Sequence, residues 1–216
     1  MFHYSKSRLI GISDGVFAVV LTIMVLDIKS PVSTARGPMI DLIKHLLIYF
    51  ISFGIVSEYW VYHQELLSGI KRTTPLLTIT NIYYLVFISL TPFATGWLND
   101  AFMERMPSMA YSVVIILVNF TQAVMFHEVV DIGEEDGMKM TAHDREEYLA
   151  SEVMLGISVI YLVFAYFTPK YFLIVIWIGL ALRTIVTHVA RAIERIQTRK
   201  QTNSFNFNEP LRNNLL

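Results

Sequence analysis

The sequence predicts an all-α membrane protein of six spanning helices, and three observations carry that expectation. Of its 216 residues, 54% are hydrophobic and only 16% charged, a balance that leaves too little polar surface to cover a water-soluble fold of this size. The apolar residues gather into six runs, 9–28, 42–67, 76–98, 109–130, 149–167 and 171–193, each close to the roughly 20 residues a helix needs to cross a bilayer. Charge, proline and glycine collect between the runs, where the chain must turn in water.

The first run begins within the N-terminal MFHYSKSRLIGISDG, which lacks the pattern of basic region, short apolar core and small-residue cleavage site of a secretory signal, and Ser13 and Asp14 interrupt its apolar run early, so this helix is expected to be retained. The second passes through LLIYFISFGIVSEYWVYH and the third through LTITNIYYLVFISLTPFATGWL. The fourth is followed by the longest connection, 131–148, rich in Glu and Asp and expected to be a solvated loop. Thr168-Pro169-Lys170 makes a short hairpin between the last two runs, because proline and the residue before it disfavour helix continuation. Residues 1–200 thus form one six-helix domain, and 201–216 is a polar, Asn-rich tail.

Composition also excludes function classes. Net charge is −1, so the basic face that nucleic-acid binding needs is missing. With no cysteine, disulfides, thiolate metal sites and cysteine nucleophiles are excluded together. The glycines form neither a phosphate loop nor a dinucleotide fingerprint, and no nucleophile-and-base motif lies within a span, so an enzyme is not expected and no cofactor is implied.

Lys6, Arg8, Lys71, Arg72, Lys139, Arg145, Arg191, Arg195, Arg199 and Lys200 fall on one side of the six-span map, against Lys29, Arg36, Lys44, Arg105 and Lys170 on the other. Cytoplasmic loops are enriched in Lys and Arg, which places both termini in the cytoplasm. His127, Glu128, Asp131, Glu134, Glu135, Asp136, His143 and Asp144 share no helical ligand spacing and read as solvated acidic chain rather than a metal site. Arg183 and His188 lie near an arginine-rich helix end, where snorkelling accounts for them. Glu58 falls inside the second run with its role open.

The first helix holds the functional signal. An ionisable residue within a span is a candidate by default, which singles out Asp14. At about 100° per residue, Val19, Ile23 and Leu26 form an aliphatic stripe roughly opposite Asp14, with Thr22 beside it. The segment Arg8-Leu9-Ile10-Gly11-Ile12-Ser13-Asp14, followed by an apolar helix with Thr22 eight positions after the Asp, resembles the first-helix signature of the endosomal and lysosomal potassium channel family, transmembrane protein 175, in its single-repeat prokaryotic form. Arg8, Ser13, Asp14 and Thr22 match, whereas Ile12 stands where the family usually has Phe. Trp60 and His63, three apart on the second run, Asn81, and Leu90-Thr91-Pro92-Phe93 on the third also resemble the family, so the likeness covers about the first half closely.

The resemblance implies a homotetrameric potassium-preferring channel in a bacterial plasma membrane, its pore lined by the first helix of four chains and its partners potassium ions, lipid and its own copies. Val19, Ile23 and Leu26 would then stack as hydrophobic rings, with Thr22 supplying hydroxyl oxygens. The family usually has a longer Ile or Leu at the Val19 position, so this throat is expected to be wider. Arg8, Ser13, Asp14, Trp60, His63 and Asn81 would form the polar network behind the pore helix. The sequence agrees on one point: it has no Thr-Val-Gly-Tyr-Gly-like filter loop. The alternative reading is a proton-conducting or proton-coupled transporter that uses Asp14, Glu58 and His63 as a relay.

Overall fold

The computed structural model describes residues 5–101, 103–137, 142–172 and 174–179. The chain divides into two units, 1–175 and 176–216; of the second, residues 176–179 are described and are helical. The tail 201–216, most of the sixth expected span, Arg183 and His188 lie outside the described residues.

The first unit is all-helical among its described residues, with α1 Lys6–Ile23, α2 Arg36–Ser68, α3 Pro75–Ser89, α4 Thr91–Asp100, α5 Arg105–Glu135 and α6 Ala142–Phe167. Among the described residues, five helical segments are long and apolar enough to cross a membrane: Lys6–Asp27, Arg36–Ser68, Pro75–Asp100, Arg105–Glu135 and Tyr148–Phe167. The third expected span is therefore two helices in series. Pro92 has no N–H to offer the Ile88 carbonyl four residues back, so α3 ends at Ser89 and α4 restarts at Thr91. Thr74 caps α3 by accepting the Leu77 amide at 3.1 Å, with Pro75 in the first turn. The last turn of α1 tightens into a 3-10 helix at Met24–Asp27 before the chain becomes extended at Ile28.

The acidic connection is shorter than the sequence predicts. Residues 131–135 continue α5 and α6 starts at Ala142, so the solvated loop expected over 131–148 is in large part helix. Glu is a good helix former, and once the helix leaves lipid its charged side chains are free to hydrate without ending it. Gly137, with φ of 73°, supplies the left-handed residue that closes α5.

Contacts at the two ends fix the up-and-down order. At one end Lys6 donates to the Ser68 and Ile70 carbonyls at 2.9 and 2.7 Å, and Arg72 pairs with Glu135 and Asp136. At the other, Lys29 pairs with Asp100 at 2.8 Å and Arg105 lies 5.6 Å over the Tyr166 ring. Inside, Tyr59 donates to Asn119 at 2.8 Å, Asn119 to the Met154 carbonyl at 3.3 Å, and Tyr111 to Ser52 at 3.0 Å. These polar bonds tie α2, α5 and α6 into the body against which α1 is seated.

Candidate functional site: a latched helix with an uncovered face

Packing divides α1 in two. Leu9, Ser13, Phe17, Val20 and, beyond the helix end, Met24 are buried, a spacing of four, four, three and four that makes one continuous stripe of a 3.6-residue helix. Phe17 and Met24 are 1% and 0% exposed, whereas Val19, Ile23 and Leu26 are 53%, 44% and 76% exposed. The aliphatic stripe singled out in the sequence is thus the face of α1 that its own chain leaves uncovered. Thr22 is on it, and its hydroxyl donates inward to the Ala18 or Val19 carbonyl, at 2.9 Å each. That bond occupies the proton and leaves the oxygen lone pairs as acceptors.

The buried face is held by a directional chain of hydrogen bonds. His63 donates from Nε2 to Asn81 Oδ1 at 2.7 Å, Asn81 donates from Nδ2 to Ser13 Oγ at 3.1 Å, and Ser13 donates to the Leu9 carbonyl at 2.9 Å. This assigns the proton to Nε2 and leaves buried Nδ1 without a partner among the described residues. The imidazole stacks on Tyr84, with centroids 5.4 Å apart and planes 8° apart, and Phe17 lies 5.8 Å from it. An aromatic cluster from α1, α2 and α3 therefore surrounds the polar junction and keeps it dry.

Asp14, next to Ser13, is fastened separately. Trp60 donates from Nε1 to Asp14 Oδ1 at 2.9 Å, and Gln64 donates to the same oxygen. Trp60 and Gln64 are one helical turn apart on α2, so their donors converge on one acceptor. Two adjacent residues of α1 are thereby latched to two neighbouring helices.

Five of the six residues assigned to the network in sequence thus meet through direct bonds. Arg8 is exposed and makes no hydrogen bond with the other five. It precedes Leu26 by 18 residues, five whole turns at about 100° per residue, so it shares the uncovered face rather than the latched one. Gln64 and Phe17 escaped sequence reasoning. The i, i+4 spacing of Trp60 and Gln64 is the signal that would have pointed to the first, and the Leu9, Ser13, Phe17 periodicity the one that would have pointed to the second.

Around the outer turn of α1, Asp27 lies against Gly96, where an added Cβ would meet its Oδ2 at 3.1 Å. The hydrogen bond and charge of Asp100 push the Lys29 ammonium up from its ordinary value. Among the described residues no group of three or more His, Asp or Glu is placed to hold a metal ion. His127 and Glu128, consecutive in sequence, diverge: His127 is exposed and 3.4 Å from Glu152, while Glu128 is buried.

Comparison with known proteins adds independent observations. Residues 8–92 match the family model for the endosomal/lysosomal potassium channel TMEM175. A potassium channel of Chryseobacterium sp. (strain P1-3) is 28% identical over 148 residues, 68% of this chain and 77% of that protein. The endosomal/lysosomal proton channel TMEM175 of Bos taurus is 32% identical over 102 residues, but this chain spans only 21% of its length. In fold, the crystal structure of a lysosomal potassium-selective channel TMEM175 homolog from Chamaesiphon minutus matches with a TM-score of 0.67 and 20% identity, covering 82% of this chain and 97% of that one. The segment that includes the first helix thus matches the TMEM175 family model over residues 8–92, and the fold resembles that of a solved TMEM175 homolog.

Proposed function

We propose that the chain is one subunit of a homotetrameric, potassium-preferring cation channel in a bacterial plasma membrane, with α1 of each copy lining a central pore and both termini cytoplasmic. One observation carries this reading. The α1 face bearing Val19, Thr22, Ile23 and Leu26 is bare in the single chain while the opposite face is latched at Ser13 and Asp14. Relatives that are named potassium channels support the ion, and symmetry between copies supplies the ring of helices that one chain lacks. The six-helix domain 1–200 is then the conducting unit, and the Lys and Arg side of the map faces the cytoplasm.

In such a ring Val19, Ile23 and Leu26 form stacked apolar constrictions. These gate by dewetting and return nothing for the water an ion must shed, so the more weakly hydrated potassium ion crosses more readily than sodium. Thr22, its proton turned toward its own helix, offers oxygen acceptors that replace part of that lost water. Ser13, Asp14, Trp60, Gln64, His63 and Asn81 hold the helix at one rotation and stay out of the ion path. The chemistry is passive conduction, with no bond made or broken.

The test is recording from the purified protein in potassium and sodium. Val19→Asn and Ile23→Asn are expected to raise conductance and sodium permeability; unchanged values in both would end the pore assignment. The second reading, proton movement through Asp14, Glu58 and His63, takes support from vertebrate relatives named proton channels. Proteoliposomes with opposed potassium and proton gradients separate the two, since a relay carries protons without potassium and fails in Glu58→Gln or His63→Phe.

A further inference from the structure

Glu128 belongs to a segment whose other acidic residues meet water, yet it is 8% exposed and packed between α5 and α3. Its Oε1 lies 2.7 Å from Thr80 Oγ1. The same Thr80 hydroxyl lies 3.1 Å from the Leu76 carbonyl, four residues back on α3. One hydroxyl proton thus faces two oxygen acceptors, and the second carboxyl oxygen, Oε2, is buried without a hydrogen-bond partner among the described residues.

Both features fit a neutral acid and not a carboxylate. An ionised group here would have one donor, a bare charged oxygen and no cation among the described residues, and buried charge without a partner is strongly disfavoured. A protonated Oε1 instead donates to Thr80, which is then free to donate to Leu76, and the oxygen left over is an uncharged carbonyl. Among the described residues no neighbour supplies compensating positive charge. On α5 itself Asp131, one turn on, carries like charge and His127 turns to Glu152. The α3 helix has no charged residue; its ionisable side chains are Tyr83, exposed, and Tyr84, which donates to the Tyr59 carbonyl. From α2 and its following link, His63 is engaged by Asn81 and Arg72 by Glu135 and Asp136. On α6 the described ionisable side chains nearest this level are Tyr148, against the His127 ring, and Glu152.

We propose that Glu128 is a proton-binding site at the α3–α5 interface, its neutral carboxyl donating to Thr80, which passes the bond to the Leu76 carbonyl. Thr80 adjoins Asn81, the side chain that holds Ser13 and His63, so the site lies behind the same turn of α3 that seats α1. A proton held in the fold and released on unfolding makes stability fall as pH rises through the titration of the site.

The experiment is infrared spectroscopy of the purified full chain in lipid, with glutamate labelled at its side-chain carboxyl carbon. At neutral pH we expect a protonated-carboxyl band that shifts with the label, disappears in Glu128→Gln and changes frequency in Thr80→Val. Thermal unfolding of the wild type should weaken toward alkaline pH, a trend that Glu128→Gln loses. If Glu128→Gln does not fold, the labelled wild type and Thr80→Val still give the reading. A missing band at neutral pH, or one indifferent to both substitutions, overturns the proposal, and neither outcome depends on whether the protein conducts potassium.

Discussion

Replacing Asn81 by Leu tests the latch at its centre. Asn81 is wholly buried, and the change removes the bond it donates to Ser13 at 3.1 Å and the one it accepts from His63 at 2.7 Å. The two losses are unequal. Ser13 keeps its bond to the Leu9 carbonyl and forfeits only an accepted bond, about 0.6 kcal/mol for an average interhelical hydrogen bond in a membrane. His63 is left with an orphaned N–H in an aromatic enclosure, about 1–3 kcal/mol, and its Nδ1 is already without a partner. The expected destabilisation is therefore about 2–4 kcal/mol, most of it from the stranded imidazole. Reversible unfolding in mixed micelles by a denaturing detergent, followed by circular dichroism, measures it. The sharper reading is the double variant Asn81→Leu/His63→Phe: removing both polar partners leaves no orphan, so it should be more stable than Asn81→Leu alone. If the double variant loses the sum of the two single effects, the hydrogen bond is not what seats α1, and the reasoning fails.

Three further outcomes follow from the same geometry. Phe17→Ala, which opens a void beside His63 and Tyr84, should cost about 3–5 kcal/mol of stability, whereas Leu26→Ala on the uncovered face should stay within about 0.5 kcal/mol for the dissociated chain and alter conductance instead. Arg72→Ala removes exposed pairs to Glu135 and Asp136; its effect on the melting midpoint should be small, because solvent screens an exposed pair, and should shrink when the measurement is repeated at high salt. Gly96→Ala sets a methyl 3.1 Å from Asp27 Oδ2 and should be nearly neutral once that carboxylate gives by a few tenths of an ångström, while Gly96→Val should destabilise by about 1–3 kcal/mol through overpacking against the end of α1. Equal unfolding midpoints for the two Gly96 variants would count against that contact.

The sequence by itself determined the membrane class, because lipid demands long apolar runs and backbone bonds satisfied within each helix, and both are local properties. It also determined which face of the first helix is aliphatic, and that Asp14 needs a partner, since an ionisable group within a span is costly unpaired. Tertiary structure decided the rest. Gln64 as a second donor to Asp14, the order His63 to Asn81 to Ser13, and the placement of Arg8 on the open face depend on how α2 and α3 rotate against α1. Glu128 makes the point most sharply. The acidic residues that follow it, Asp131, Glu134, Glu135 and Asp136, are exposed, yet its own environment is set by α3, 48 residues earlier. Periodicity along one helix says which residues share a face, but what that face meets is settled by packing between segments distant in the chain, which a linear pattern does not encode.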